Sequence, residues 1–153
     1  MTATNHALTG ATIGILIGKP LLAVPVALLS HFICDAVPHF GFTGEKLKKR
    51  IMRGNSFRNY LVVEAIICFV IVLAIAVLRP AHWQLAAWCA FVAASPDLLS
   101  YKRYRATRSG TAWSGNLYSR FAHDIQWFER PIGALVEVAW LVAALVILAP
   151  FFR

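Results

Sequence analysis

Two long apolar runs constrain the fold of this chain more than any other feature. They are YLVVEAIICFVIVLAIAVL at 60–78 and IGALVEVAWLVAALVILAPFF at 132–152. As a helix rising about 1.5 Å per residue, each run is long enough to cross the roughly 30 Å hydrocarbon core of a bilayer. The whole chain is 59% hydrophobic, whereas a soluble domain is about half apolar. We therefore predict an all-α integral membrane protein, with residues 1–153 forming a single membrane domain.

Prolines and turn residues divide the chain into about five helices. Lys19-Pro20 and Pro38 interrupt the apolar N-terminal stretch, and proline cannot continue a helix interior. A short helical hairpin is therefore predicted over 6–38, and a single kinked span over the same residues is the alternative. Three spanning helices are predicted to follow, over 57–79, 81–101 and 131–152. The first helix carries glycine at every fourth position (Gly10, Gly14, Gly18), a spacing that lets membrane helices approach backbone to backbone.

The connection at 102–130 is predicted to be a cytoplasmic loop containing an interfacial helix. Its stretch NLYSRFAHDIQWFE at 116–129 places four apolar residues on one helical face: Leu117, Phe121, Ile125 and Phe128. Aromatic residues are enriched where a helix lies in the membrane interface. Those near this face are Trp113, Tyr118 and Trp127.

The positive charge of the chain is concentrated in two segments. The net charge is +8, and twelve of the fifteen Lys and Arg residues fall within 45–58 and 102–130. Loops retained in the cytoplasm are enriched in Lys and Arg. This topology explains the charge without nucleic-acid binding, and it predicts an inner-membrane protein with both basic segments inside and the C-terminus outside. Membrane lipid is the expected partner, and a homo-oligomer stays open. No removable signal peptide is expected, and the three cysteines are interpreted as reduced packing residues.

Four of the seven acidic residues lie within or at the end of a predicted span: Asp35, Glu64, Asp97 and Glu137. An ionised carboxylate in the bilayer costs at least about 2.5 kcal/mol, and such groups normally face the bundle interior. The predicted topology puts all four within roughly 10 Å of the cytoplasmic face. His6 at the mouth of the first helix and His123 in the long connection are expected in the same layer.

The stretch SHFICDAVPHFG at 30–41 suggests what this layer holds. His31 and Asp35 are four residues apart on one helical face and can bind one ion together, whereas the direction of His39 is set by the turn after Pro38. Imidazole and carboxylate ligands suit a divalent metal ion, zinc foremost, with manganese or iron as alternatives. The candidate ligands are His6, His31, Asp35, His39, Asp97 and His123. The candidate catalytic groups are Glu64, Glu137 and Asp124.

Several of these residues also carry a family resemblance. NHALTGATIGILIG begins with a His and continues as a Gly-rich apolar helix, HFICDAVPH and SPDLL are proline–aspartate motifs, and His123 precedes the final span. In this order of elements the chain resembles the bacterial membrane-bound metal-dependent hydrolases of the YdjM-like type, which look distantly like zinc-dependent phospholipase C. The resemblance implies that His6, His123 and the aspartate at 35 or 97 are metal ligands in a hydrolase.

Three classes of function fit these features. The first is a metal-dependent hydrolase at the cytoplasmic membrane face, acting on an anionic phosphoester or lipid-linked substrate. Its substrate-binding candidates are Lys102, Arg103, Arg105 and Arg108. The second is a small proton- or metal-coupled transporter or channel subunit that uses the intramembrane acidic layer. The third is a structural or adaptor protein whose basic segments contact anionic lipid.

Overall fold

The computed structural model describes residues 1–111 and 115–152, so Trp113 lies outside the described residues. These residues are helical without any strand, which confirms the all-α prediction for this part of the chain. The α-helices are α1 (Ala3–Ile17), α2 (Pro20–Ala36), α3 (Glu45–Arg53), α4 (Asn55–Leu78), α5 (Trp83–Leu99), α6 (Tyr101–Ser109), α7 (Leu117–Asp124) and α8 (Gly133–Leu148). A 3₁₀ turn at Ala149–Phe152 extends α8.

The first two helices form a hairpin around Gly18. This residue has φ 62° and caps the end of α1, with its N–H donating to the carbonyl of Gly14. The left-handed conformation is strained for a residue with a Cβ and is the usual role of glycine after a helix. Pro20 then starts α2, at a position where its missing N–H costs nothing.

Helices α1 and α5 are in backbone contact. A Cβ added to Gly14 would lie 2.6 Å from the Cα of Ala86, and one added to Gly10 would overlap the carbonyl oxygen of Cys89. The small-residue spacing of α1 is thus used against α5. The buried residues between them are correspondingly small: Ala7, Ala11, Ala86, Ala90 and Ala93.

Two helices are long and apolar enough to cross a membrane, namely α4 (24 residues) and the helical stretch Gly133–Phe152 (20 residues). Only 6% and 17% of their most apolar windows are buried in the protein, so their outer faces are apolar and exposed. Helix α5 has 17 residues, the lower limit of the about 17–25 that span a bilayer. Of the three predicted spanning helices, two are clearly long and apolar enough within the described ranges, and α5 is at the limit of length.

The polar side chains gather at one end of the bundle. Thr4 on α1 contacts Glu64 near the start of α4, and the Asn5 side chain contacts the backbone of Glu137 near the start of α8. The ends of α2 and α5 meet at the same level, where His31 contacts the backbone carbonyl of Ala93. We call this the polar end; it contains the starts of α1, α4 and α8 and the ends of α2 and α5.

The two basic segments contain more helix than predicted. Residues 45–53, expected in a loop, form α3, and α6 follows α5 after one residue. The Arg53 guanidinium on α3 donates to the Thr107 carbonyl on α6 at 3.0 Å. The predicted interfacial helix at 116–129 is shorter, because α7 ends at Asp124.

After α7 the chain turns and then pairs with the segment that follows α2 through a single bridge between His39 and Glu129. Arg130 N–H donates to the His39 carbonyl at 3.0 Å, and Gly41 N–H donates to the Arg130 carbonyl at 3.3 Å. The indole N–H of Trp127 donates to the carbonyl of Ala36 at 3.1 Å. These bonds hold residues 126–130 against the end of α2.

Candidate metal centre

Three metal-ligating side chains converge at the polar end: His6 from α1, and His31 and Asp35 from α2. One donor atom from each lies within 4.8 Å of the other two, and the residues are 0%, 3% and 2% exposed. His6 Nε2 lies 3.1 Å from Asp35 Oδ1, and His31 Nε2 lies 3.4 Å from Asp35 Oδ2. The i, i+4 spacing puts two donors on one face of α2, and the hairpin brings the third from α1.

A backbone carbonyl fixes the orientation of His31. Its Nδ1 lies 2.8 Å from the carbonyl oxygen of Ala93 on α5. Because a carbonyl oxygen only accepts, Nδ1 carries the hydrogen, and in the neutral ring Nε2 keeps its lone pair facing Asp35. Metal-binding histidines typically hold their second ring nitrogen in this way.

One buried nitrogen of the His6 ring, Nδ1, is unpaired in the part of the chain that the structure describes. The Cys34 thiol interacts with the same imidazole but lacks the geometry of a hydrogen bond. Leaving such an atom unpaired costs about 1–3 kcal/mol. The candidate ligand atom of His6 is Nε2, which faces Asp35, whereas its Nδ1 lacks the kind of partner that orients His31.

The Asp35 carboxylate has further partners on both oxygens. The amino group of Met1 lies 2.6 Å from Oδ1, and the side-chain amide of Gln126 donates to Oδ2 at 3.2 Å. A cationic group thus already contacts this carboxylate, and a buried anion needs such a partner. The chemistry of the donor set, two imidazoles and one carboxylate, fits zinc, manganese or iron.

The other three intramembrane acids of the sequence prediction surround this group without joining it. Asp97, at the end of α5, is not among the three converging donors but acts electrostatically on His6. Glu64 accepts from the N–H and the hydroxyl of Thr4, both at 2.9 Å. Glu137 accepts from the N–H of Phe40 at 3.3 Å. Hydrogen bonds to neighbouring elements therefore satisfy both the half-buried Glu64 and the buried Glu137.

His39, His123 and Asp124 lie outside the three-donor group as well. His39 is buried, donates from Nδ1 to the Val37 carbonyl at 2.8 Å, and has Nε2 4.0 Å from Glu129 Oε1. Burial lowers the pKa of His39, which favours the neutral ring. His123 lines a cavity of about 390 Å³ together with Gln126 and the ion pair of Lys48 and Glu129. Asp124 is exposed where α7 ends.

The four predicted substrate-binding residues all lie on α6. Arg108 donates to the Tyr104 hydroxyl at 2.9 Å and to the Asn55 side-chain oxygen at 3.0 Å, so it ties α6 to the start of α4. Lys102 and Arg105 are exposed, and Arg103 is half-buried. A role of these residues in substrate binding stays a prediction.

Several residues of the centre were not found from the sequence. The Ala93 carbonyl orients His31, and Gln126 holds Asp35. Asn5, which precedes His6, is buried with its side-chain oxygen unpaired among the described residues. A backbone carbonyl carries no sequence signal, and a single glutamine after a short helix has none either. Only Asn5 had a sequence signal that could have identified it, namely its position next to His6 in a predicted apolar helix.

The fold and the site define a helical protein with two helices long and apolar enough for a membrane and a buried His–His–Asp group able to hold a divalent metal. No family model, no curated protein and no solved structure matches the chain.

Proposed function

We propose that this protein is a membrane-embedded, metal-dependent hydrolase acting on a phosphoester or lipid-linked substrate at the cytoplasmic face of the inner membrane. One observation carries the proposal: the convergence of His6, His31 and Asp35 within 4.8 Å. Catalytic zinc sites commonly use three protein ligands and keep one position for water or substrate. The YdjM-like resemblance of the sequence points to the same chemistry.

The exposed surface supports a membrane location. Large apolar side chains cover the outer faces of α4 and α8; Phe69, for example, is 67% exposed. Soluble monomers rarely expose contiguous apolar patches larger than a few hundred Å². In a bilayer the same residues face lipid, and the hairpin with α5 fills the interior.

The chain's own residues hold and orient the ion. The Ala93 carbonyl fixes the tautomer of His31, and Gln126 fixes one oxygen of Asp35. A divalent ion in such a site supplies Lewis-acid activation of water and of a phosphoryl oxygen. Asp97 is the candidate for a further ligand or a proton acceptor, because its carboxylate already acts on His6.

The basic helices support both the sidedness and the class of substrate. Arg53 joins α3 to α6, and Arg108 joins α6 to the start of α4, which belongs to the polar end. Positive charge therefore stands at the same end of the bundle as the His–His–Asp group. Cytoplasmic ends are enriched in Lys and Arg, and a basic rim raises the local concentration of an anionic substrate.

The test is metal content followed by hydrolysis. Protein purified in detergent without chelator is expected to contain about one equivalent of transition metal. His6→Ala, His31→Ala and Asp35→Ala are expected to lose it, while His82→Ala, on an exposed residue, keeps it. The metal-loaded protein is then expected to release product from a panel of soluble and lipid-linked phosphoesters.

Two results would overturn the proposal. One is a metal content below about a tenth of an equivalent in the wild-type protein, or a metal content that does not depend on the three residues. The other is a loaded protein that hydrolyses none of the panel. Proteoliposome flux that vanishes in Asp97→Asn at unchanged metal content would instead assign the protein to the transporter class.

A further inference from the structure

The hydroxyl oxygen of Tyr118 on α7 is shielded from solvent and has no hydrogen-bond partner among the described residues. Buried tyrosine hydroxyls usually find a partner, and an unpaired one destabilises the fold. An exception of this kind calls for an explanation, and a role in ligand binding or catalysis is one of the standard ones.

The ring of Phe32 lies between Tyr118 and the metal centre. The Tyr118 ring packs edge-on against Phe32, with centroids 6.3 Å apart, and Phe32 packs edge-on against His31 with centroids 5.3 Å apart. The charges of Asp35 and Asp97 both reach the phenol. Gln126, just beyond the same helix, bonds to Asp35, so α7 and its following residues cover the centre.

We propose that Tyr118 is a substrate-contacting residue, whose hydroxyl donates a hydrogen bond to an oxygen of a phosphoryl group bound at the His6–His31–Asp35 centre. This inference rests on the proposed function and narrows it to substrates with a tetrahedral oxyanion. A phosphoryl oxygen beside a divalent ion needs donors on its other side, and charged acceptors form the stronger hydrogen bonds. Burial raises the pKa of Tyr118, which keeps the phenol protonated as a donor at neutral pH.

The experiment compares wild-type protein with Tyr118→Phe, both loaded with zinc in detergent, using inorganic phosphate as the probe. Calorimetry is expected to show phosphate binding weakened by about 10- to 100-fold in Tyr118→Phe, the worth of a hydrogen bond to a charged group. The zinc affinity is expected to stay unchanged. Tyr101→Phe is the matched control, because Tyr101 is 59% exposed on α6, and it is expected to bind phosphate like the wild type.

Two further measurements separate substrate contact from a structural role. Tyr118→Phe is expected to melt at or above the wild-type temperature, since it removes an unsatisfied polar group. Tyr118→His, which retains an N–H donor, is expected to recover part of the phosphate affinity. If Tyr118→Phe does not fold, the phosphate affinity of zinc-loaded Tyr118→His is the deciding measurement. An affinity no higher than that of zinc-free protein overturns the inference, and an affinity between that of zinc-free protein and that of zinc-loaded wild type supports it.

A second arm identifies the source of the phosphoryl group. Glycerol 3-phosphate and vesicles containing phosphatidic acid present the same phosphomonoester in soluble and in lipid-bound form. A loss of binding by Tyr118→Phe in either arm supports the inference. Wild-type affinity of Tyr118→Phe in both arms, or no phosphate binding by zinc-loaded wild type, overturns it while leaving the metal centre standing. A wild type that takes up no zinc overturns the proposed function itself.

Discussion

The imidazole rings of His6 and His31 stack with their centroids 4.1 Å apart, and each directs Nε2 at a different oxygen of Asp35. Two imidazolium ions at this separation would repel one another. A single divalent cation between the three donors would satisfy both rings and the carboxylate at once. The stacked arrangement therefore suits one shared cation better than two protonated histidines.

Zinc affinity is expected to depend steeply on pH. Protons compete with the ion for both imidazole lone pairs, so the apparent association constant is expected to fall by about 10- to 100-fold per pH unit on acidification. Competition with a chromophoric zinc chelator measures it. His6→Ala is expected to bind more weakly and with a shallower pH slope, since one competing imidazole has gone. A wild-type affinity that is independent of pH would contradict the ligand assignment.

Gln126→Leu is expected to weaken zinc binding by about 10- to 100-fold, the usual effect of removing a group that orients a ligand. The substitution removes the donor to Asp35 Oδ2 and keeps a similar side-chain volume. Gln84→Leu is the matched control, since Gln84 is exposed on α5. Equal zinc affinities in the two variants would show that Gln126 does not orient Asp35.

Gly14→Val is expected to lower the free energy of unfolding by about 1–3 kcal/mol or more, because the new side chain would overlap the α5 backbone at Ala86 and overpacking has this cost. Leu16→Val, on an exposed position of the same helix, is expected to change it little. Thermal unfolding in one detergent compares the two. An unperturbed Gly14→Val protein would mean that α1 and α5 do not touch there.

Phe69 tests the membrane assignment, because its side chain lies on the exposed apolar face of α4. Phe69→Arg is expected to reduce membrane insertion sharply, since an arginine near the centre of a spanning helix costs about 2.5–3.5 kcal/mol on insertion scales. Phe69→Leu is expected to insert normally. Insertion is measured as protein that resists alkaline carbonate extraction and is released by detergent. In a soluble protein, an arginine on this surface would have no such effect.

His39 is expected to make stability pH-dependent. Its pKa is lowered by burial, so below its ordinary value of about 6.5 the unfolded chain takes up a proton that the folded chain resists. Above that pH, His39 therefore does not lower the free energy of unfolding. Below it, the free energy of unfolding falls as the pH drops. Between about pH 7.5 and pH 5.5, His39→Gln should flatten the fall in melting temperature, whereas His82→Gln should not. Parallel curves for His39→Gln and wild type would contradict this.

The parts of the centre that were predictable are those governed by local spacing. His31 and Asp35 are one helical turn apart, and Lys19-Pro20 marks a turn that folds α1 back along α2. These two features suffice to bring His6 to Asp35. The glycine spacing of α1 likewise predicted a close helix contact, although not that α5 is the partner.

The contacts of the long connection could not be predicted from the sequence, because non-local backbone pairing decides which of its residues reaches the centre. The pairing of residues 39–41 with 128–130 lies next to Gln126, whose side-chain amide donates to Asp35. The same pairing turns His39 towards Glu129. No periodicity in the sequence encodes such a pairing between two short segments.

The distribution of the three donors along the chain has a consequence for biosynthesis. His6, His31 and Asp35 all belong to the first hairpin, whereas Gln126 follows Asp35 by 91 positions. At translation rates of about 5–20 residues per second, the hairpin leads Gln126 by roughly 5–18 s. During that interval a nascent chain already carries the complete donor set and lacks its cover. If the three donors take up an ion at that stage, the later helices would enclose it as they arrive, and metal supply during synthesis, rather than exchange afterwards, would set how much metal-loaded protein forms.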